Sequence, residues 1–80
     1  MINNHYKISI IIEKDEEGYY AYCPELQGCF SQGDSFEEVN GNIKEAIELY
    51  LETLTPQETT QYLSKEIYTT SFEVSLAETA

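Results

Sequence analysis

The sequence predicts a two-layer α+β domain of β-β-β-α-β order: an antiparallel three-strand meander, one main helix on one sheet face, and a returning fourth strand. Three observations predict it. A period-two apolar pattern stands near each end of the chain, a turn-punctuated aromatic run follows the first of them, and a single helical stripe lies between residues 36 and 54.

The first strand rests on Tyr6, Ile8, Ile10 and Ile12 alternating with Lys7, Ser9, Ile11 and Glu13, the repeat of a strand with one buried face. Lys14, Asp15, Glu16, Glu17 and Gly18 then form a polar turn, and Tyr19, Tyr20, Ala21, Tyr22 and Cys23 complete a hairpin. Pro24 offers no ladder donor and holds Cys23 extended, so the second strand stops there and residues 25–28 become a connector. Cys29, Phe30, Ser31 and Gln32 make a short third strand, with Gly33 and Asp34 supplying turn chemistry after it.

Ser35 opens the helix. Its hydroxyl can accept from the Glu38 amide while the Glu38 carboxylate reaches back to the Ser35 amide, a capping box worth roughly 1 kcal/mol. Phe36, Val39, Ile43, Ala46, Ile47, Tyr50, Leu51 and Leu54 recur at spacings of three and four as one apolar stripe, opposite a solvated face of Glu37, Asn40, Lys44, Glu45, Glu48 and Glu52. Gly41 inside that helix costs about 1 kcal/mol relative to alanine, which close packing would explain. Thr55, Pro56, Gln57 and Glu58 repeat a start signature, so a short second helix runs to Leu63. Tyr68, Thr70, Phe72, Val74 and Leu76, alternating with Thr69, Ser71, Glu73 and Ser75, give the fourth strand. Nothing covers the second sheet face, which carries Ile11 and either Tyr20 and Tyr22 or Tyr19 and Ala21. Such a face is a candidate protein interface, and the plainer alternative is scattered surface tyrosines.

Eighty residues allow a single domain, 1–80, and the small core that such a length permits makes self-association an expectation. Fifteen acidic against four basic residues give a net charge of −11, which repels phosphate backbones and anionic lipid and attracts basic partners, although acidity also serves solubility alone. Lys7, Lys14, Lys44 and Lys65 stand singly among carboxylates, so direct nucleic-acid binding is not expected. No apolar run is long enough to span a bilayer and residues 1–6 are not a signal sequence, so the expected location is cytoplasmic. Cys23 and Cys29 fit neither a redox pair nor zinc spacing and read as buried reduced thiols, with a disulfide as the alternative. His5 lacks metal-ligand company, and no cofactor or metal is expected.

The stretch from residue 15 to residue 47 resembles the HicB-like antitoxin family. Asp15 and Gly18-Tyr19, Ala21, Pro24-Glu25-Leu26 with Gly28-Cys29, Gly33-Asp34-Ser35, Glu37-Glu38, and Glu45-Ala46-Ile47 carry the match, and the strand order extends it over residues 6–74. The resemblance implies a partial ribonuclease-H-like fold and a role in binding and neutralising a small basic HicA-type toxin that cleaves messenger RNA. Most matching residues are fold determinants rather than catalytic groups. Nuclease chemistry needs several carboxylates a few ångströms apart to hold two metal ions, whereas neither the helix stripe nor the apolar positions of the last strand carry any, so no enzyme is expected. The chain departs from fuller family members in having no DNA-binding extension after the fourth strand, and in placing Val39, Asn40 and Gly41 where the early helix is usually rich in alanine and leucine. The nominated partner contacts are Asp15, Glu16, Glu17, Glu25 and Asp34. The alternative function is a stand-alone homo-oligomeric domain with another protein-binding role and no toxin partner.

Overall fold

A computed structural model describes residues 5–77. Strands β1 (Ile11–Asp15), β2 (Gly18–Tyr22) and β3 (Phe30–Gly33) form an antiparallel meander in the order β1-β2-β3, followed by helices α1 (Phe36–Glu52) and α2 (Pro56–Leu63). The protein is α+β, as the residue periodicities predict. Ile12 faces Ala21 and Ala21 faces Ser31 across the ladders, one residue out of phase with the row Ile11, Tyr22, Phe30 on the other face.

The core lies between the sheet and α1, where Ala21, Cys23, Leu26, Cys29, Val39, Ile43 and Ile47 are buried. Val39, Ile43 and Ile47 are the centre of the predicted stripe, while Phe36 at its start is exposed. Leu26 sits in the segment expected to be a mere connector, yet it is one of the largest fully buried side chains. The loop folds inward because its own amides close it: Leu26 N–H donates to Cys23 O, Cys29 N–H to Leu26 O and Cys23 N–H to Cys29 O, at 3.0–3.1 Å.

Gly33 explains how closely α1 approaches. A β-carbon there would stand 2.6 Å from the Val39 backbone nitrogen, so only glycine lets the helix settle on β3. Gly41 is the opposite case, because a β-carbon would meet nothing within 4 Å, and close packing is not its reason.

Both helix starts form as capping chemistry requires, with one adjustment. Glu38 N–H donates to Ser35 Oγ at 3.0 Å, but the Glu38 carboxylate accepts from Asp34 N–H at 3.1 Å, one residue earlier than expected. Thr55 and Glu58 make the full reciprocal box at 2.9 and 3.1 Å, and Pro56 occupies the first turn of α2.

The expected fourth strand is not in the sheet. Residues 65–77 have neither helix nor ladder partner among the described residues, and Tyr68, Phe72, Val74 and Leu76 are 84, 85, 61 and 84% exposed. They leave the end of α2 as an arm that stretches the molecule to 65 Å along one axis, against 27 and 18 Å across it. The radius of gyration is accordingly 16.3 Å, whereas a closed domain of this length would have about 12 Å. Alternation is a local property of a strand; pairing also needs the chain to arrive at an edge, and here it departs from one. No helix among the described residues is long and apolar enough to cross a membrane.

Candidate protein interface

The sheet face turned away from α1 carries two rows. Ile11, Tyr22 and Phe30 stand side by side in register, and Glu13, Tyr20 and Gln32 form the next row toward the β1–β2 turn. The alternation left open by the sequence therefore resolves to Tyr20 and Tyr22. Tyr20, in the second row, has its ring centroid 5.9 Å from those of both Tyr22 and Phe30, and Phe30 remains 55% exposed. Such a cluster gives a rigid apolar contact surface whose tyrosines also offer hydroxyls at the rim.

Acidic groups border this face at one end. Asp15, Glu16 and Glu17 occupy the β1–β2 turn, where Asp15 Oδ1 accepts from Glu17 N–H at 2.8 Å and fixes the turn. The pairing of Tyr19 with Gly33 brings exposed Asp34 to the same end of the sheet. A shallow concavity of about 260 Å³, lined by Glu13, Asp15, Glu17, Tyr20 and Gln32 among others, joins the carboxylates to the aromatic cluster. Four of the five nominated contacts thus share one end of the molecule with the tyrosine-bearing face.

Glu25 belongs elsewhere and must be removed from that set. It lies past the opposite end of β2, is 4% exposed, and accepts from Ser9 N–H at 3.0 and 3.2 Å through its two carboxylate oxygens, with Cys23 Sγ 3.5 Å from one of them. A buried carboxylate satisfied by a backbone amide is a structural tie, here joining the chain entering β1 to the loop after β2. The sequence signal for this role is the position of Glu25 between Pro24 and Leu26, where the turn that buries Leu26 carries its neighbour inward.

Cys23 and Cys29 are buried free thiols. Burial pushes the Cys23 thiol up to about 11, helped by the neighbouring Glu25 charge and opposed by hydrogen bonding to the Leu26 and Glu25 backbone. Cys29 is raised by burial as well. Both sulfurs are held as unreactive thiols. Among the described residues no group of three or more His, Cys, Asp or Glu side chains is placed to hold a metal ion. A second small cavity, about 180 Å³, is lined by Glu25, Gln27, Tyr50, Tyr62 and Lys65. Tyr50 crosses part of it to donate to Gln27 O at 3.0 Å, tying α1 to the same loop that Glu25 braces.

Comparison with known proteins agrees with the residue-level resemblance. The family model described as HicB-like antitoxin of bacterial toxin–antitoxin system matches residues 6–77. A UPF0150 protein of Helicobacter pylori is 58% identical over 59 residues, covering 74% of this chain and 81% of that protein. A UPF0150 protein of Archaeoglobus fulgidus is 44% identical over 62 residues, 76% of this chain and 90% of the relative. One from Synechocystis is 56% identical over 50 residues, 61% of this chain and 63% of the relative. No solved structure matches the chain. With nearly its whole described length inside the family model, the chain belongs to the HicB-like antitoxin family.

Proposed function

We propose that this protein is an antitoxin that binds a small basic HicA-type toxin and neutralises it by covering the surface with which the toxin engages RNA. The observation that carries the reading is the junction of an acidic turn with an exposed aromatic face, in a chain of net charge −11 that belongs to an antitoxin family. Asp15, Glu16, Glu17 and Asp34 steer a basic partner, and Ile11, Tyr20, Tyr22 and Phe30 supply the contact that water leaves. In this reading the sheet is a partial ribonuclease-H-like frame used as a cytoplasmic binding scaffold, without nuclease chemistry and without direct contact to nucleic acid. The test is to co-express the chain with a small basic HicA-type toxin and measure their association across ionic strength. A complex that weakens as salt rises is expected. No complex at low salt defeats the reading.

A second reading is favoured by one observation, the exposed apolar side chains Tyr68, Phe72, Val74 and Leu76 of the arm after α2. It makes the protein a homo-oligomer with another protein-binding role, and it predicts self-assembly without any basic partner.

A further inference from the structure

We infer that residues 67–77 are an exchange arm: each chain lays this segment along the outer edge of β1 in a second copy and receives the other copy's arm on its own. The arm has the pattern of a strand and no strand to pair with. Tyr68, Thr70, Phe72, Val74 and Leu76 line one side of it, Thr69, Ser71, Glu73 and Ser75 the other, and all nine residues are exposed. It contains no glycine or proline and is rich in β-branched and aromatic residues. The family match runs on through residue 77, so the arm is part of the shared domain rather than an appendage.

The receiving edge is identified by what covers the two sides of the sheet. On the β3 side, α1 packs against the strand and Asn42 Nδ2 donates to Gln32 O at 2.9 Å, so that edge is already partly satisfied. On the β1 side no ladder partner is present among the described residues, and α1 packs on β3 and β2 rather than on β1. Ile12 of β1, and Ile8 and Ile10 in the segment leading into it, are only half-buried although they pack against the core. A strand added outside β1 would cover these isoleucines with its own apolar side and supply the ladder bonds the edge lacks.

A second copy, rather than a charged partner, fits this strand. Residues 67–77 carry one charge, Glu73, in a chain of net charge −11, so the arm has almost no charge with which to select a basic partner or to repel a second acidic copy. Eleven extended residues reach about 36 Å, longer than the five-residue β1 edge they would cover. Reciprocal exchange gives a twofold, closed assembly in which both arms and both β1 edges are covered. Each sheet then has four strands, the β-β-β-α-β set written in the sequence, with the last supplied in trans.

This inference does not depend on a toxin partner and is tested on the isolated full chain. Analytical ultracentrifugation should give twice the 9.2 kDa chain mass for the native protein. Phe72→Glu with Leu76→Glu should give a monomer with unchanged helical circular dichroism, because neither residue touches the core. Val74→Pro, which removes a ladder amide while keeping an apolar side chain, should weaken the dimer at least tenfold. A native monomer whose residues 68–76 are protected from amide exchange would show the arm closing in cis and overturn the proposal. So would a dimer that all three substitutions leave intact.

Discussion

At the scale of single residues, two glycines in similar sequence surroundings have opposite roles, and substitution separates them. Gly41→Ala adds a methyl group to empty space on the exposed side of α1, so it should stabilise the fold by about 0.5–1 kcal/mol. Gly33→Ala drives a β-carbon into the Val39 backbone and should destabilise it by more than 1 kcal/mol. Urea unfolding of both variants checks the pair, and an equal effect of the two would contradict the packing described. Glu25 allows a second prediction. Glu25→Ala leaves the Ser9 amide without its partner and empties a buried site, which should cost about 1–3 kcal/mol, whereas Glu25→Gln keeps an acceptor and should recover part of the loss. Residue by residue, Ser35, Thr55, Pro56 and the Val39-Ile43-Ile47 stripe were legible because capping and helical periodicity are local. The roles of Glu25, Leu26 and Gly33 were not, because each depends on how a turn folds against an element distant in sequence.

At the scale of elements, the two helices differ in what holds them. α1 buries three residues in the core, while α2 buries none and rests on its capping box, its proline and the half-buried Tyr62 and Leu63. Thr55→Ala should therefore fray α2 locally, seen as faster amide exchange at residues 57–63 with little change in the global unfolding midpoint. Ser35→Ala should lower global stability by about 1 kcal/mol. If both acted alike, α2 would be more tightly coupled to the core than its burial shows. The β1–β2 turn is the element where the functional reading is exposed to test. Asp15→Asn, Glu16→Gln and Glu17→Gln together should slow association with a basic partner about three- to tenfold and flatten its salt dependence, leaving unfolding unchanged. The turn was readable from its polar run ending in glycine; its junction with Tyr20 and Gln32 follows only from the register of three strands.

For the whole molecule, the order of strands and helices up to residue 63 follows from the sequence, and the fate of the last apolar pattern does not. Tyr68, Phe72, Val74 and Leu76 specify a strand but not the sheet that accepts it, since an alternating pattern fits its own chain's edge and a neighbour's equally well. The family was legible from residues 15–47, where the turn glycines, Pro24 and the helix cap stand in fixed order, and the model match extends it over nearly the whole chain. Part of the charge of −11 then takes a place in the structure, with Asp15, Glu16, Glu17 and Asp34 at the turn end of the sheet, next to the row that carries Tyr20.

The central claim is neutralisation by binding, and growth measures it most directly. Cells induced to make a small basic HicA-type toxin should stop growing and lose intact messenger RNA, and co-expression of this chain should restore both. A chain with Asp15, Glu16 and Glu17 neutralised and Tyr20 and Phe30 replaced by alanine should restore them poorly while remaining folded. Arrest that persists in the presence of the folded native chain, or rescue as complete with that altered surface as with the native one, would contradict the account.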